Sequence, residues 1–323
     1  MGQLSLEKTF LIAPYVEGIV YGFFLAIFSL TIYIHVSPMF DGRVQRFDRH
    51  ANVMIAISSL MFFIATWHLA MNGARMVEGY VDHGLTPGGP VAYIGNLRPW
   101  DHIMKDTLYA TQENLGSAAA IYRCWVLWGH NWLIILFPVT LLLVNIVAGY
   151  MVCALYSTVP PTETVFDPRL NRWIKIFYSL AVVLNIITTS LMSYKIWTTH
   201  RQSSRYNARG GARLLYILRI LVESAALQLI VEIVLLALYC SDINAQYILL
   251  ESVASVVGIT FNAITIRIKL HTMQGVPSFN QSSGPEHAVQ TIGSMPMRRI
   301  QVNIARDIEE HSSHESQVYD TGK

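Results

Sequence analysis

Long stretches of this chain carry no charged side chain at all. Gly18 to Phe40, Ala51 to Ala74, Gly129 to Thr162 and Ile176 to Tyr194 contain no Asp, Glu, Lys or Arg. A helix needs about 20 mainly apolar residues to cross the hydrocarbon core of a bilayer. Two further apolar stretches carry isolated charges: Leu214 to Cys240 with Arg219, Glu223 and Glu232, and Gln246 to Ile266 with Glu251. The most polar candidate is Ile103 to Trp128, which holds Lys105, Asp106, Glu113 and Arg123. The pattern predicts seven spans, at about 15–36, 51–73, 103–128, 133–156, 173–197, 214–240 and 246–269. The expected fold is all-α: a polytopic membrane protein whose seven-helix transmembrane domain covers 15–269. Residues 1–14 form an extracellular N-terminus, and 270–323 form a cytosolic tail, mostly disordered because its Ser, His, Gln and Glu leave little apolar surface to bury.

Composition sharpens this picture. Of 323 residues, 53% are apolar and only 14% charged, where soluble domains carry roughly 25% charge. Net charge is +2, which argues against a nucleic-acid partner, and three cysteines are too few for a disulfide scaffold. Trp100, Trp128, Trp132, Trp173 and Trp197 fall at or near span ends, where indole rings prefer the headgroup layer. Lys and Arg near the span ends number ten on one side (among them Arg43, Arg46, Arg201, Arg205, Arg209 and Arg213) and seven on the other. The richer side faces the cytosol, so the N-terminus is expected outside and the C-terminus inside, in the plasma membrane. The first apolar run is too long for a signal-peptide core and has no small-residue cleavage site.

Ionisable groups inside a bilayer are costly and mark candidate sites. In Thr111-Gln112-Glu113-Asn114, three adjacent polar side chains cannot all face lipid, so this helix is expected inside the bundle, with Gly116 and Ala120 admitting a neighbour. Gln112, Glu113 and Asn114 are candidate ligand-binding residues or members of a buried hydrogen-bond network. Glu17, Glu232 and Glu251 lie toward the outer halves of their spans and either join Glu113 in an acidic cavity or sit on separate faces. Arg123 and Glu223 lie toward inner helix ends; Glu223 pairs either with Arg123, as a switch, or with Arg219 one turn away. Gly18 and Gly22 form a G-x-x-x-G, read either as packing within the bundle or as a homodimer face. His35, His68 and His102 look scattered, with no metal-ligand spacing, so neither a metal centre nor an enzyme is expected. No cofactor is expected either: a retinal protein needs a mid-membrane lysine in its last helix, and Lys269 lies at the end.

Seven spans with an outside N-terminus resemble receptors coupled to G proteins. More specifically, Ala110-Thr111-Gln112-Glu113-Asn114-Leu115-Gly116, followed by Ile121-Tyr122-Arg123-Cys124-Trp125-Val126-Leu127-Trp128-Gly129, resembles a family of uncharacterised seven-helix proteins of mushroom-forming fungi. That resemblance extends over the bundle and implies the fold, but brings no ligand. Against receptors the likeness is architectural: Tyr122 precedes Arg123 where an acid is usual, and Phe261-Asn262-Ala263 lacks a proline. Two functions compete. A receptor-like sensor of an extracellular ligand, acting on a G protein or another cytosolic partner, fits the outer acids and the basic loop 198–213. A small-solute transporter or channel calls for an internal repeat with broken helices; Pro138 is the one proline expected inside a span.

The topology is directly testable. A C-terminal tag should resist protease added to intact cells, and the sequon at Asn280 should carry no glycan. Glycosylation of Asn280 in the native protein reverses the orientation.

Overall fold

A computed structural model describes residues 4–40, 49–158, 168–205 and 211–274. The tail beyond Gln274 with Asn280, and the basic residues Arg43, Arg46 and Arg209, lie outside the described residues. Within them the chain is helical: α1 (Leu6–Phe40), α2 (Arg49–Val77), a π-helical turn (Glu78–Asp82), α3 (Gly89–Ile94), α4 (Trp100–Leu127), α5 (Trp132–Tyr156), α6 (Pro168–Arg205), α7 (Gly211–Cys240) and α8 (Gln246–Gln274). Six of these, all but α3 and α4 among the α-helices, are long and apolar enough to cross a membrane.

Each expected span lies within or nearly matches one long helix, and the helices outrun the apolar runs. Backbone hydrogen bonds continue wherever no breaker intervenes. The clearest case is α1, which begins at Leu6, ahead of the expected span, and runs through Pro14. Pro14 and Pro38 of α1 therefore join Pro138 as prolines inside long helices. Between α2 and α4 the chain folds a cap that the apolar pattern does not announce. Arg75, buried at the end of α2, donates to Ile94 O at 2.9 Å and Asn96 O at 3.3 Å, and pairs with Asp101 at 2.6 Å. The Tyr93 hydroxyl donates to Glu78 Oε2 at 2.5 Å, and that bond, with burial, pushes the phenol up to about 12. At the other end of α4, Gly129 and His130 both take positive φ, which turns the chain sharply into α5. Asn131 then caps α5 by accepting from Leu133 N.

Successive long helices alternate in direction. Early α1 meets late α2 (Glu17 with His68 and Asn72), early α4 meets late α5 (Asp106 with Tyr156), and early α6 meets late α7 (Tyr178 with Tyr239). α1 closes the ring by packing against both α2 and α8, while α4 packs against α2, α5, α6 and α8. The most polar helix is thus enclosed by four neighbours, as its Thr-Gln-Glu-Asn run predicts. Its buried positions include Asp101, Lys105, Asp106, Gln112, Glu113, Asn114 and Ser117, so its polar side points inward.

Glycines set the closest approaches. A Cβ on Gly116 would lie 2.5 Å from Val257 Cγ1 of α8, and one on Gly149 would lie 2.8 Å from the Phe177 ring. A Cβ on Gly258 would strike the Phe24 ring of α1. Gly18 and Gly22 behave oppositely: they are exposed, with nothing within 4 Å of a built Cβ. Packing within the bundle therefore does not explain their G-x-x-x-G.

Gly258→Ala should lower stability by about 1–3 kcal/mol, because Phe24 is fully buried and has no room to move. Thermal melts in detergent should show a much smaller cost in a Phe24→Ala background. An equal cost in both backgrounds would contradict the close approach.

Candidate functional site

α1, α2, α4 and α8 bring a chain of ionisable side chains together near the end where α1 begins. His68 and Asn72, four residues apart, lie on one face of α2 and both address Glu17 of α1. His68 Nδ1 lies 2.7 Å from Glu17 Oε1, and Asn72 donates to Oε2 at 2.5 Å. The other imidazole nitrogen, Nε2, faces Glu251 Oε2 of α8 at 3.6 Å. Glu251 Oε1 accepts from the Lys105 ammonium of α4. Lys105 is also 3.8 Å from Asp106, which takes a 2.8 Å hydrogen bond from Tyr156 of α5. His102 Nε2 lies 3.6 Å from Asp106. All of these residues are buried.

Charge counting shows what this chain of contacts can hold. Glu17, Glu251 and Asp106 supply three carboxylates against Lys105 and the imidazole of His68. Even with His68 as an imidazolium, one negative charge remains in excess unless His102, beside Asp106, holds a proton as well. A buried excess charge is expensive, so a proton or a bound cation completes the cluster. Two small cavities border it. One, about 40 Å³, is walled by Tyr109, Tyr156, Phe177, Tyr178 and Tyr247 with Asp106 and Glu251 at its edge. The other, about 30 Å³, lies between Asn72, Arg75, Lys105 and Glu251. Both ring nitrogens of His102, Gln246 Nε2 and Glu251 Oε2 are buried without a hydrogen-bond partner.

This geometry revises the view of the histidines as scattered. Glu17, His68 and Glu251 offer ligand atoms that all lie within 4.8 Å of one another. The signal available in sequence was the i, i+4 pair His68 and Asn72 on an otherwise apolar helix. The donor set reads as an ion-pair chain rather than a metal centre: the imidazole is spanned by two carboxylates, and an ammonium already holds one of them.

The remaining candidates separate. Gln112, Glu113 and Asn114 follow one another at about 100° around α4 and address three different helices. Gln112 donates to Ala254 O of α8 at 2.9 Å, and Asn114 accepts from Asn145 of α5 at 3.0 Å. Glu113 faces Glu232 of α7 carboxyl to carboxyl, and its own oxygens take no donor from an amide, hydroxyl or main-chain N–H. Glu232 in turn takes donors from Gln228 at 2.7 Å and Asn185 at 3.3 Å. So the four acids do not share one cavity: Glu17 and Glu251 make one cluster, Glu113 and Glu232 another.

Nor do Arg123 and Glu223 pair. Arg123 Nη2 donates to Phe261 O at 3.0 Å and Thr265 Oγ1 at 2.8 Å, with the guanidinium 4.1 Å over the Phe261 ring. Glu223 is exposed and takes Arg219 at 2.7 Å and Arg267 at 3.5 Å. The local i, i+4 contact wins because it orders one short stretch of helix. Compared with known protein families and with curated proteins, the chain matches none.

Lys105→Met strands Glu251 and Asp106 without their cation and should cost about 3–5 kcal/mol. Adding Glu251→Gln should recover a large part of that loss in thermal melts. Simply additive costs would show that the two residues are not coupled.

Proposed function

We propose that the chain is an integral membrane protein that crosses the bilayer seven times and works as a receptor-like sensor. In this reading α4, the third long helix in chain order, crosses as well as the six apolar helices, shielded from lipid by its neighbours. The N-terminus lies outside, the C-terminus lies in the cytosol, and the plasma membrane is the site of action. Membership of the fungal seven-helix family belongs to the same proposal, and Tyr122-Arg123-Cys124-Trp125 is the segment that supports it.

One observation carries the sensor reading. The same helices, α1, α2, α4 and α8, line two separate sites at opposite ends of the bundle. At the N-terminal end they hold the buried cluster around Glu17, His68, Lys105 and Glu251. At the other end they border a cavity of about 300 Å³ that includes Arg123. Coupling between two distinct sites through shared elements is what a sensor requires. The excess negative charge of the first site suits a ligand that carries positive charge, which would shift the bundle by binding one arrangement better than another. The second site suits a cytosolic partner such as a G protein α subunit. The exposed Gly18 and Gly22 ridge leaves a face of α1 open for a homodimer.

A transporter is the second reading, supported by the Glu113–Glu232 pair, which continues the buried acids toward the middle of the bundle. The purified protein in bilayer discs should bind a G protein α subunit, and Arg123→Ala should change that binding. Uptake of a small cation into proteoliposomes without any such binding would replace the sensor by the transporter.

A further inference from the structure

The large cavity away from the N-terminal end has a lopsided chemistry. Thirteen residues line it, contributed by α1, α2, α4, α6, α7 and α8. Its titratable groups are His35, His50, Arg123 and Lys269; among the described residues no carboxylate lines it. The rest of the wall is mostly apolar, including Met54, Leu221 and Ile264. Glu223, on α7, is taken up by Arg219 and Arg267 outside the cavity.

Arg123 is held in place on one side only. Its Nη2 is fixed by Phe261 O and Thr265 Oγ1, and Phe261 lies under the guanidinium plane. Among the described residues, Nε and Nη1 make no further hydrogen bond and Lys269 makes no ion pair. Two permanent positive charges therefore sit half-buried in an apolar enclosure with no counter-charge among the described residues, an arrangement that favours an anion.

Two features select the anion. The basic groups come from four helices: His35 from α1, His50 from α2, Arg123 from α4 and Lys269 from α8. They suit an acceptor whose oxygens point in several directions and carry more than one charge, which is a phosphate rather than a carboxylate. The same end of the bundle bears Trp128, Trp132 and Trp197, with Lys195 5.0 Å over Trp128 and Arg201 4.1 Å over Trp197. Tryptophans of this kind mark headgroup depth. We propose that the cavity is a phosphate-binding site, filled by a phosphorylated lipid headgroup or by free phosphate. This goes beyond the sensor reading and stands without it, since binding alone is at issue.

The full-length protein, purified into phosphatidylcholine discs, provides the test. Discs doped with a phosphatidylinositol phosphate form one arm, and plain discs titrated with inorganic phosphate form the other. At least one source should raise the melting temperature saturably. A response to the doped discs alone assigns the headgroup, and a response to inorganic phosphate in plain discs assigns the free anion. Lys269→Gln should weaken the apparent affinity about tenfold, the loss expected for one charge-assisted contact. Arg123→Gln should weaken it further; because Arg123 also ties α4 to α8, Lys269→Gln is the deciding variant if that protein fails to fold. No saturable shift from either source, or an affinity unchanged in Lys269→Gln, would overturn the proposal.

Discussion

Finding a polar partner for each ionisable side chain of α4 is the constraint on which this bundle depends. That helix carries Lys105, Asp106, Glu113 and Arg123 along one length, and none of them is highly exposed. Each recruits a different neighbour: Glu251 of α8 for Lys105, Tyr156 of α5 for Asp106, Glu232 of α7 near Glu113, and Phe261 and Thr265 of α8 for Arg123. The hydrophobic effect is nearly neutral to which apolar helices meet in a bilayer, because lipid tails are as apolar as leucine. Polar partners are not, so they fix the order and the rotation of the helices around α4. Close approaches at Gly116 and Gly258 then fix the distances.

Much of this was legible in the residues. Charge-free runs gave the long helices, and the Thr111-Gln112-Glu113-Asn114 segment marked α4 as the enclosed one. The partners were not legible, because polar contacts in a bundle join residues far apart in sequence. Glu17 reaches His68 across 51 positions, and Lys105 reaches Glu251 across 146. Arg123 shows the same limit: its acceptors are the Phe261 carbonyl and the Thr265 hydroxyl, neither of which a charge pattern announces. Gly18 and Gly22 mislead in the other direction, since their spacing suits close packing and yet they face outward. The cap over Glu78 to Asn96 was invisible because short helices there bury little, and Arg75 organises it through main-chain oxygens.

The two ends of the bundle are built on opposite electrostatic terms. Around Glu17, Glu251 and Asp106 the acids outnumber the cations, while around Arg123 and Lys269 the described lining has cations alone. Between them lies the Glu113–Glu232 pair, hydrogen-bonded to the amides of Asn185 and Gln228 on Glu232 only. The helices shared by both ends are held by these polar contacts rather than by apolar packing alone. A change of charge at one end therefore has a physical route to the other, through α4 and α8, which touch both.

The pairing of Lys105 with Glu251 also bears on how the protein is made. In the proposed topology α4 is too polar to partition into lipid on its own terms, since each mid-helix ion costs roughly 2.5–3.5 kcal/mol on insertion scales. Its counter-charge lies on α8, the last long helix among the described residues to be synthesised. During translation α4 must therefore wait, sheltered by α2 and α5 or by the insertion machinery, until α8 emerges and neutralises it. Biogenesis of this bundle ends with an electrostatic closure, and a nascent chain halted before Glu251 would hold its central helix unfinished.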